Sequence, residues 1–250
     1  MGKLIDIVEG VQAKSSEHES GASMIVFEMF RPTGLDKGVV ERLVEIAKRK
    51  LASDADVVRI CLDATQEREK NLLESAGFST DGFEFRMPKS ILMRAVLSAK
   101  FKVRLMDFEQ DIDAVATLEK TVHAADSTSR VNFETPEALA GMRGYYRKAC
   151  GGKGAYVLTQ NCEIVGVAGF MPDHKHDCAI HISSVSISLG LQGRGLFFPF
   201  LGACLAHDYF DGFDKVTGIT TTERLIAAAE KHGALLLGWS LYKRLERHRA

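Results

Sequence analysis

No two cysteines in this chain are spaced as C-x-x-C. The five (Cys61, Cys150, Cys162, Cys178, Cys204) are scattered and odd in number, which excludes a disulfide framework and a cysteine-built zinc site and suits a reducing cytoplasm. Charge of one sign is missing too. Thirty-two Lys and Arg stand against 33 Asp and Glu, a formal net charge of -1, so no global field gathers DNA or RNA and no local basic patch stands out. No apolar run approaches the length of a membrane span. Residues 1–8 are too short and too charged for a signal peptide, and Asp6 spoils the myristoylation pattern that Gly2 would open. What is present is ordinary for a soluble globular protein with a substantial core: 46% apolar and 26% charged residues in a 250-residue chain, enough for one large or two small domains. The expected partners are small molecules or proteins, with neither nucleic acid nor membrane among them.

Apolar alternation and helical periodicity take turns along the chain, the pattern of an α+β (α/β layered) fold. Strands are expected at 24–30, 57–63, 83–87, 102–105, 155–159, 163–171, 178–188, 215–220 and 235–242, and helices at 36–52, 66–76, 111–124, 136–149, 196–209 and 222–232. Gln160 and Asn161, between two apolar runs, predict a hairpin turn. The polar, small-residue stretch 9–23 reads as part of a mobile N-terminal segment, residues 1–23.

The most informative run is Ile187-Ser188-Leu189-Gly190-Leu191-Gln192-Gly193-Arg194-Gly195. An apolar strand ends there in a glycine-rich turn, and an apolar helix begins at once, with Pro199 near its start where no hydrogen bond is lost. Glycines let backbone N–H groups point inward together, and the free N–H groups and dipole of the first helical turn favour negative charge. Such a turn is built to hold phosphate.

The N-terminal part also repeats the C-terminal part without a gap. Thr65-Gln66-Glu67-Arg68 faces Thr221-Thr222-Glu223-Arg224, Glu74 faces Glu230, Gly77 faces Gly233, and Gly82-Phe83 faces Gly238-Trp239. Every pair is separated by 233 − 77 = 156 positions, and the same offset sets Gly34-Leu35 on Gly190-Leu191. The matching order of strands and helices makes duplication the explanation. Residues 24–90 read as a half-copy, 91–100 as a linker and 101–250 as a full domain. Where the second copy has Gln192-Gly193-Arg194-Gly195, the first has Asp36-Lys37-Gly38-Val39, which loses the paired glycines and puts a carboxylate where a phosphate would dock. The half-copy is also expected to lack any counterpart of the elements between 101 and 178.

Gln192 and Gly195, followed by Phe197 in place of a small residue, resemble the Q/R-x-x-G-x-G/A signature of the GNAT N-acyltransferase superfamily. The resemblance covers 101–250, with the half-repeat as a degenerate GNAT-like half-domain. It implies the GNAT acyl-CoA N-acyltransferase fold, a mixed central sheet flanked by helices, whose signature strand splays from its neighbour and opens a V-shaped gap. Acetyl-coenzyme A is the implied co-substrate, with no metal. Main-chain groups of Val185, Ser186 and Ile187 would bind its pantetheine, and Gln192, Gly193, Arg194, Gly195, Leu196 and Phe197 would cradle its pyrophosphate; Thr222 stands where a cofactor-binding asparagine is common. The acceptor would be a small-molecule or peptide amine, and a homodimer is compatible with this reading.

Direct transfer needs a base for the amine and a proton for the leaving thiolate. Counting back along the signature strand, as the resemblance suggests, reaches His181, and histidine is the side chain most often used as a general base. The tyrosine that many relatives use as general acid is replaced by Ala229, which leaves Ser184, Tyr209 or water, or a copy that has lost activity. The cluster Asp173-His174-Lys175-His176-Asp177 reads as a solvated hairpin loop rather than a metal site, and Cys178 and Cys204 as small buried residues. Asp126, Arg130 and Glu134, in the region expected to meet the acceptor, select no substrate class. Three functions stay open: an acetyl-CoA-dependent N-acetyltransferase, the leading one; a CoA-binding protein without catalysis; and a purely structural tandem protein.

Overall fold

Asp36 accepts the backbone N–H of Val39 at 2.7 Å and so starts the first helix, α1 (Lys37–Leu51), which Ala52 ends in the left-handed conformation; this is the ordinary chemistry of a helix start. The computed structural model describes residues 4–17, 23–32, 34–125 and 135–245. They group into two compact units.

Unit 1 contains β1 (Ile5–Val8), β2 (Val11–Glu17), β3 (Ser23–Phe30), α1, β4 (Val57–Asp63), α2 (Glu67–Ser75), the first half of β5 (Ser79–Pro88) and, from Leu236 on, β11 (Leu235–Arg244). Strand order runs β1-β2-β3-β4-β11. β1 and β2, and β2 and β3, pair antiparallel, β3 and β4 parallel, and β4 and β11 antiparallel from Gly238↔Asp63 to Arg244↔Val57. Phe27, Phe30, Leu43, Val44, Ile60 and Leu73, all buried, form the middle of its core, and Leu241 of β11 joins them. The segment expected to be a mobile lead-in therefore carries two strands over 5–8 and 11–17. Alternation of buried Val11 and Ala13 with half-buried Gln12 and Lys14 is the strand signal, overlooked because the stretch is so polar.

Unit 2 contains the end of β5, α3 (Lys89–Leu92), β6 (Phe101–Leu105), α4 (Phe108–Ala125), α5 (Pro136–Gly151), β7 (Ala155–Gln160), β8 (Glu163–Pro172), β9 (Ala179–Ile187), α6 (Phe197–Leu205) and most of β10 (Lys215–Thr220). α7 (Glu223–Lys231) follows β10. Strand order here is β5-β10-β9-β8-β7-β6. Thr135 caps α5, its hydroxyl accepting from Ala138 N–H at 3.2 Å. Asn161 and Cys162 both have positive φ, 51° and 68°, the geometry of a two-residue type I′ hairpin between β7 and β8. α4 and α5 lay Ile112, Val115, Met142 and Tyr146 on one face of the sheet.

The duplication is visible in the elements. β3, α2 and β5 start 156 positions before β9, α7 and β11 (23 and 179, 67 and 223, 79 and 235), and Gly77 and Gly233, past the ends of α2 and α7, have φ of 84° and 83°. Antiparallel, antiparallel, parallel pairing along β1-β2-β3-β4 repeats along β7-β8-β9-β10. Among the described residues the first copy has counterparts of β7 and β8 in β1 and β2, contrary to the expectation, and none of β6, α4 or α5. The linker region opens with one helical turn, α3, and the expected 101–250 domain divides, since Thr220–Ile226 and the chain from Leu236 on group with unit 1. The expected helix 196–209 ends at Leu205 and is followed by a 3-10 turn, Asp208–Phe210.

Candidate active site

β9 and β10 pair in parallel over four residues, Lys215↔Ala179 to Gly218↔Ile182. β9 then continues to Ile187 paired with β8 alone among the described residues. The register against β8 jumps between Gly169↔Ser184 and Phe170↔Ile182, so Ser183 is an extra residue, a β-bulge, placed where β9 leaves β10. A bulge bends its strand and increases its twist. Past that pair the two strands no longer bond to each other, a wedge in the hydrogen-bond ladder, and Ile219, the first residue of β10 beyond it, is 54% exposed.

Past the open end of the wedge, Ser188 leads into a 3-10 turn, Leu189–Leu191, and the glycine turn. Gly193 and Gly195 have φ of 72° and 71°, and, apart from their own chain neighbours, no residue comes within 4 Å of where a Cβ would project from either. Gln192, Gly193, Arg194 and Gly195 are exposed, and Leu196 and Phe197 half-buried. The Gln192 side chain donates to the Ile187 carbonyl at 2.9 Å and ties the turn to the strand. Leu196, the N-cap of α6, offers no side-chain acceptor to the first helical N–H groups, which leaves them to a ligand or solvent.

Three serines of β9 are anchored on the α4–α5 side. Ser183 Oγ lies 2.5 Å from the Tyr145 hydroxyl and donates to the Gly169 carbonyl at 3.0 Å. Ser184 donates to Glu119 Oε1 at 3.2 Å and Ser186 to Glu119 Oε2 at 2.6 Å. Glu119, 2% exposed, also accepts from the Tyr146 hydroxyl at 2.5 Å and faces His123 Nε2 at 3.3 Å. Burial opposes its charge, but hydrogen bonds from His123, Ser186 and Tyr146 outweigh that and hold its carboxyl below the ordinary range. Burial, and then the Glu119 charge, push the Tyr146 phenol well up, so it is a neutral donor. Gly169 gives Tyr145 its room, because a Cβ there would sit 1.9 Å from the phenolic oxygen. Gly169→Ala should accordingly cost about 1–3 kcal/mol by overpacking, measured as a lower denaturation midpoint.

His181 lies one pair inside the last β9·β10 pair and its Nδ1 is 3.1 Å from Thr217 Oγ1. Of the sequence-predicted residues, His181, Ser184, Val185, Ser186 and Ile187 share β9, while 192–195 form the exposed turn beyond it and Leu196 and Phe197 the half-buried start of α6. Thr222 falls in the segment grouped with unit 1, its N–H taken by Thr220 Oγ1 at 3.1 Å. Tyr209 packs edge-on against Phe210, and Ala229 is buried. Cys178 is exposed with φ of 54°, contrary to its expected burial, because it sits in the turn before β9; Cys204 is buried. Asp126, Arg130 and Glu134 lie outside the described residues. No group of three His, Cys, Asp or Glu could hold a metal ion among the described residues, and no described helix is long and apolar enough to cross a membrane.

Glu119, Tyr145 and Tyr146 were missed. A signal existed for Glu119: it stands seven residues after Ile112 in the stripe Ile112, Val115, Ala116, where helical periodicity asks for an apolar residue.

The equivalent gap in unit 1 is closed. β3 and β4 also pair over four residues, Met24↔Val57 to Phe27↔Ile60, but Gln66 then bridges the strand ends: Nε2 donates to the Phe30 carbonyl at 2.7 Å and Oε1 accepts the Asp63 N–H at 3.0 Å. Asp36 fills the N-terminus of α1 with its own carboxylate.

No family model matches the chain and no curated protein matches it. Solved structures do. A GCN5-related N-acetyltransferase from Sphaerobacter thermophilus aligns over 94% of this chain and 76% of its own at 16% identity, TM-score 0.61. A tandem GNAT protein from the clavulanic acid biosynthesis pathway aligns over 94% and 78% at 11% identity, TM-score 0.59. A GNAT-family acetyltransferase from Colwellia psychrerythraea aligns over 98% and 84% at 10% identity, TM-score 0.59. The chain has the GNAT fold, a mixed sheet flanked by helices.

Proposed function

We propose that this chain is an acetyl-coenzyme A-dependent N-acyltransferase acting by direct transfer to a primary amine, with one competent site, in unit 2. The observation that carries the reading is the wedge: β9 leaves β10 beside a glycine turn that no side chain fills and a helix start that no side chain caps. Pantetheine would lie along the β9 edge at Val185, Ser186 and Ile187, as an added strand does. The pyrophosphate would rest on the N–H groups of residues 192–197. The amine nitrogen attacks the thioester carbonyl while His181 takes its proton. The C–S bond then breaks, and the leaving sulfur takes a proton supplied by water, for which the Ser184 hydroxyl is the candidate relay.

Thioester consumption with acetyl-CoA and a panel of primary amines tests the reading, alongside titration of coenzyme A by calorimetry. The expected result is amine-dependent release of thiol and one coenzyme A per chain. Two per chain would contradict the Gln66 and Asp36 closure of the first wedge. His181→Ala should lower turnover by roughly 10²–10⁴-fold while leaving coenzyme A affinity within a few-fold. Ala229, buried where a tyrosine acid would stand, favours one second reading, a CoA-binding protein without catalysis. It predicts the titration without the thiol release, and a purely structural role predicts neither.

A further inference from the structure

His181 belongs to a chain of hydrogen bonds that no part of the proposed reaction has used. Thr217, fully buried on β10, donates its hydroxyl proton to Asp173 Oδ2 at 2.5 Å. With that proton committed, the Thr217 oxygen faces His181 Nδ1 at 3.1 Å as an acceptor. A neutral imidazole so held carries its proton on Nδ1, which makes Nε2 the basic nitrogen. Asp173 is fixed in turn by the Lys175 N–H on Oδ1 at 2.8 Å. Thr217 and His181 are register partners one step before the wedge opens, so the bond lies at the apex of the gap.

We propose that Asp173 and Thr217 are positioning residues for His181, a hydroxyl-bridged relay that fixes the imidazole with Nε2 as its base; this rests on the reading of His181 as the base given above. The carboxylate is ionised near neutrality. Burial opposes its charge first of all, yet the Thr217 hydroxyl, the Lys175 N–H and the neighbouring His176 and His181 outweigh it and keep its carboxyl below the ordinary range. Asp173 and His176, from the β8–β9 connection, are the titratable groups coupled to the relay, and β10 supplies the uncharged hydroxyl. A hydroxyl in the middle matters because it passes the carboxylate's field to the ring without placing a charge against it. Through that hydroxyl the carboxylate attracts the positive charge that the ring gains when it takes the amine's proton.

Two measurements on the full chain separate this relay from the reaction it serves. Long-range ¹H–¹⁵N spectra of the histidine side chains, titrated from pH 5 to 9, report the tautomer and midpoint of His181. The expected result is an Nδ1–H tautomer in the native chain and in Thr217→Ser. In Thr217→Val and Asp173→Asn the midpoint should fall by about half a unit or more, as expected on loss of a linked carboxylate. An Nε2–H tautomer, or a midpoint unmoved by Thr217→Val, overturns the relay. Should Thr217→Val fail to fold, Asp173→Asn, at a loop position, decides the same point. In the acetyl-transfer assay with the best primary amine of the panel, Thr217→Val should lower kcat about tenfold to a hundredfold, less than the full worth of a general base. Its rise of rate with pH should move to lower pH, KM for acetyl-CoA should stay unchanged, and Thr217→Ser should restore both rate and profile. A uniform loss with an unshifted profile marks a merely structural threonine and overturns the proposal. Absence of transfer in the native chain sinks the enzymatic reading instead, and the spectra still decide the relay.

Discussion

Glu119→Ala should lower the melting temperature by roughly 8–10 °C, the largest stability loss among the substitutions considered for unit 2. The residue sits on the apolar stripe of its helix and is buried, so its removal takes the acceptor from the buried hydroxyls of Tyr146 and Ser186 and from the half-buried Ser184, which keeps its contact with Tyr146. Each buried donor left unmade costs about 1–3 kcal/mol, and a sum near 3 kcal/mol or more corresponds to the stated shift for a unit of this size. Glu119→Gln keeps the shape and one acceptor but offers an amide NH₂ to the other partners, so it should fall between the native chain and Ala. The sign of the pH dependence follows from the direction of the shift. Because the folded carboxyl titrates below its unfolded value of about 4.3, its stabilising contribution is complete above that pH and is lost as pH falls through the folded value. Native chain and Glu119→Gln should therefore converge in stability on acidification, as urea midpoints measured between pH 7 and 3 would reveal. A constant gap over that range would mean that the carboxylate charge contributes nothing. Coenzyme A affinity should drop with stability, since Ser184 and Ser186 are the two places where Glu119 holds β9 on the helix side of the wedge.

Much of this architecture was written in the sequence in a form that local rules can read. The glycine turn was legible because Gly193 and Gly195 must adopt positive φ, and only glycine does so without strain. Duplication was legible because Gly77 and Gly233 mark the same helix end at the same offset, and the shared φ confirms that one backbone need preserved both. Asp36 was legible as a carboxylate in the wrong place for phosphate, and it turned out to cap its own helix. Long-range pairing was not legible. β11 leaves the span of its own copy and lines β4 because strand partners are chosen by tertiary packing, which alternation along one strand cannot report. β1 and β2 were hidden by polar side chains on a one-sided sheet. The tyrosines at 145 and 146 lay on opposite edges of one helical stripe, and only the fold shows that they reach Ser183 and Ser184. Gln66 looked like an ordinary helix start, and its latch on Phe30 and Asp63 depends on two strands ending together.

A valine at Gly195 should weaken coenzyme A binding by at least tenfold, and valines at both Gly193 and Gly195 should abolish the thermal shift that coenzyme A gives. Two effects act in the same direction. A β-branched residue at φ near 71° costs about 1–3 kcal/mol of backbone strain, which the turn relieves by changing shape and turning its N–H groups away. Even if the shape survives, a side chain now projects into the open space that surrounds each glycine, where a phosphate would need contact with the main chain. Each 1.4 kcal/mol lost is about a factor of ten in affinity, so the middle of the strain range reaches the first threshold and the added bulk works in the same direction. Gly195→Ala separates them, because alanine meets the strain with little of the bulk; an intermediate loss is expected. Gly144→Ala, on the exposed face of α5, serves as the control, since a glycine replaced within a helix should leave binding unchanged and stability slightly raised. Because the turn is exposed and makes few contacts, the substitutions should leave the unliganded melting temperature within a few degrees of native, so a lost shift reports the cradle rather than the fold. Full coenzyme A affinity in the double variant would place the phosphates elsewhere on the molecule, and the wedge would then have to be approached from its other end.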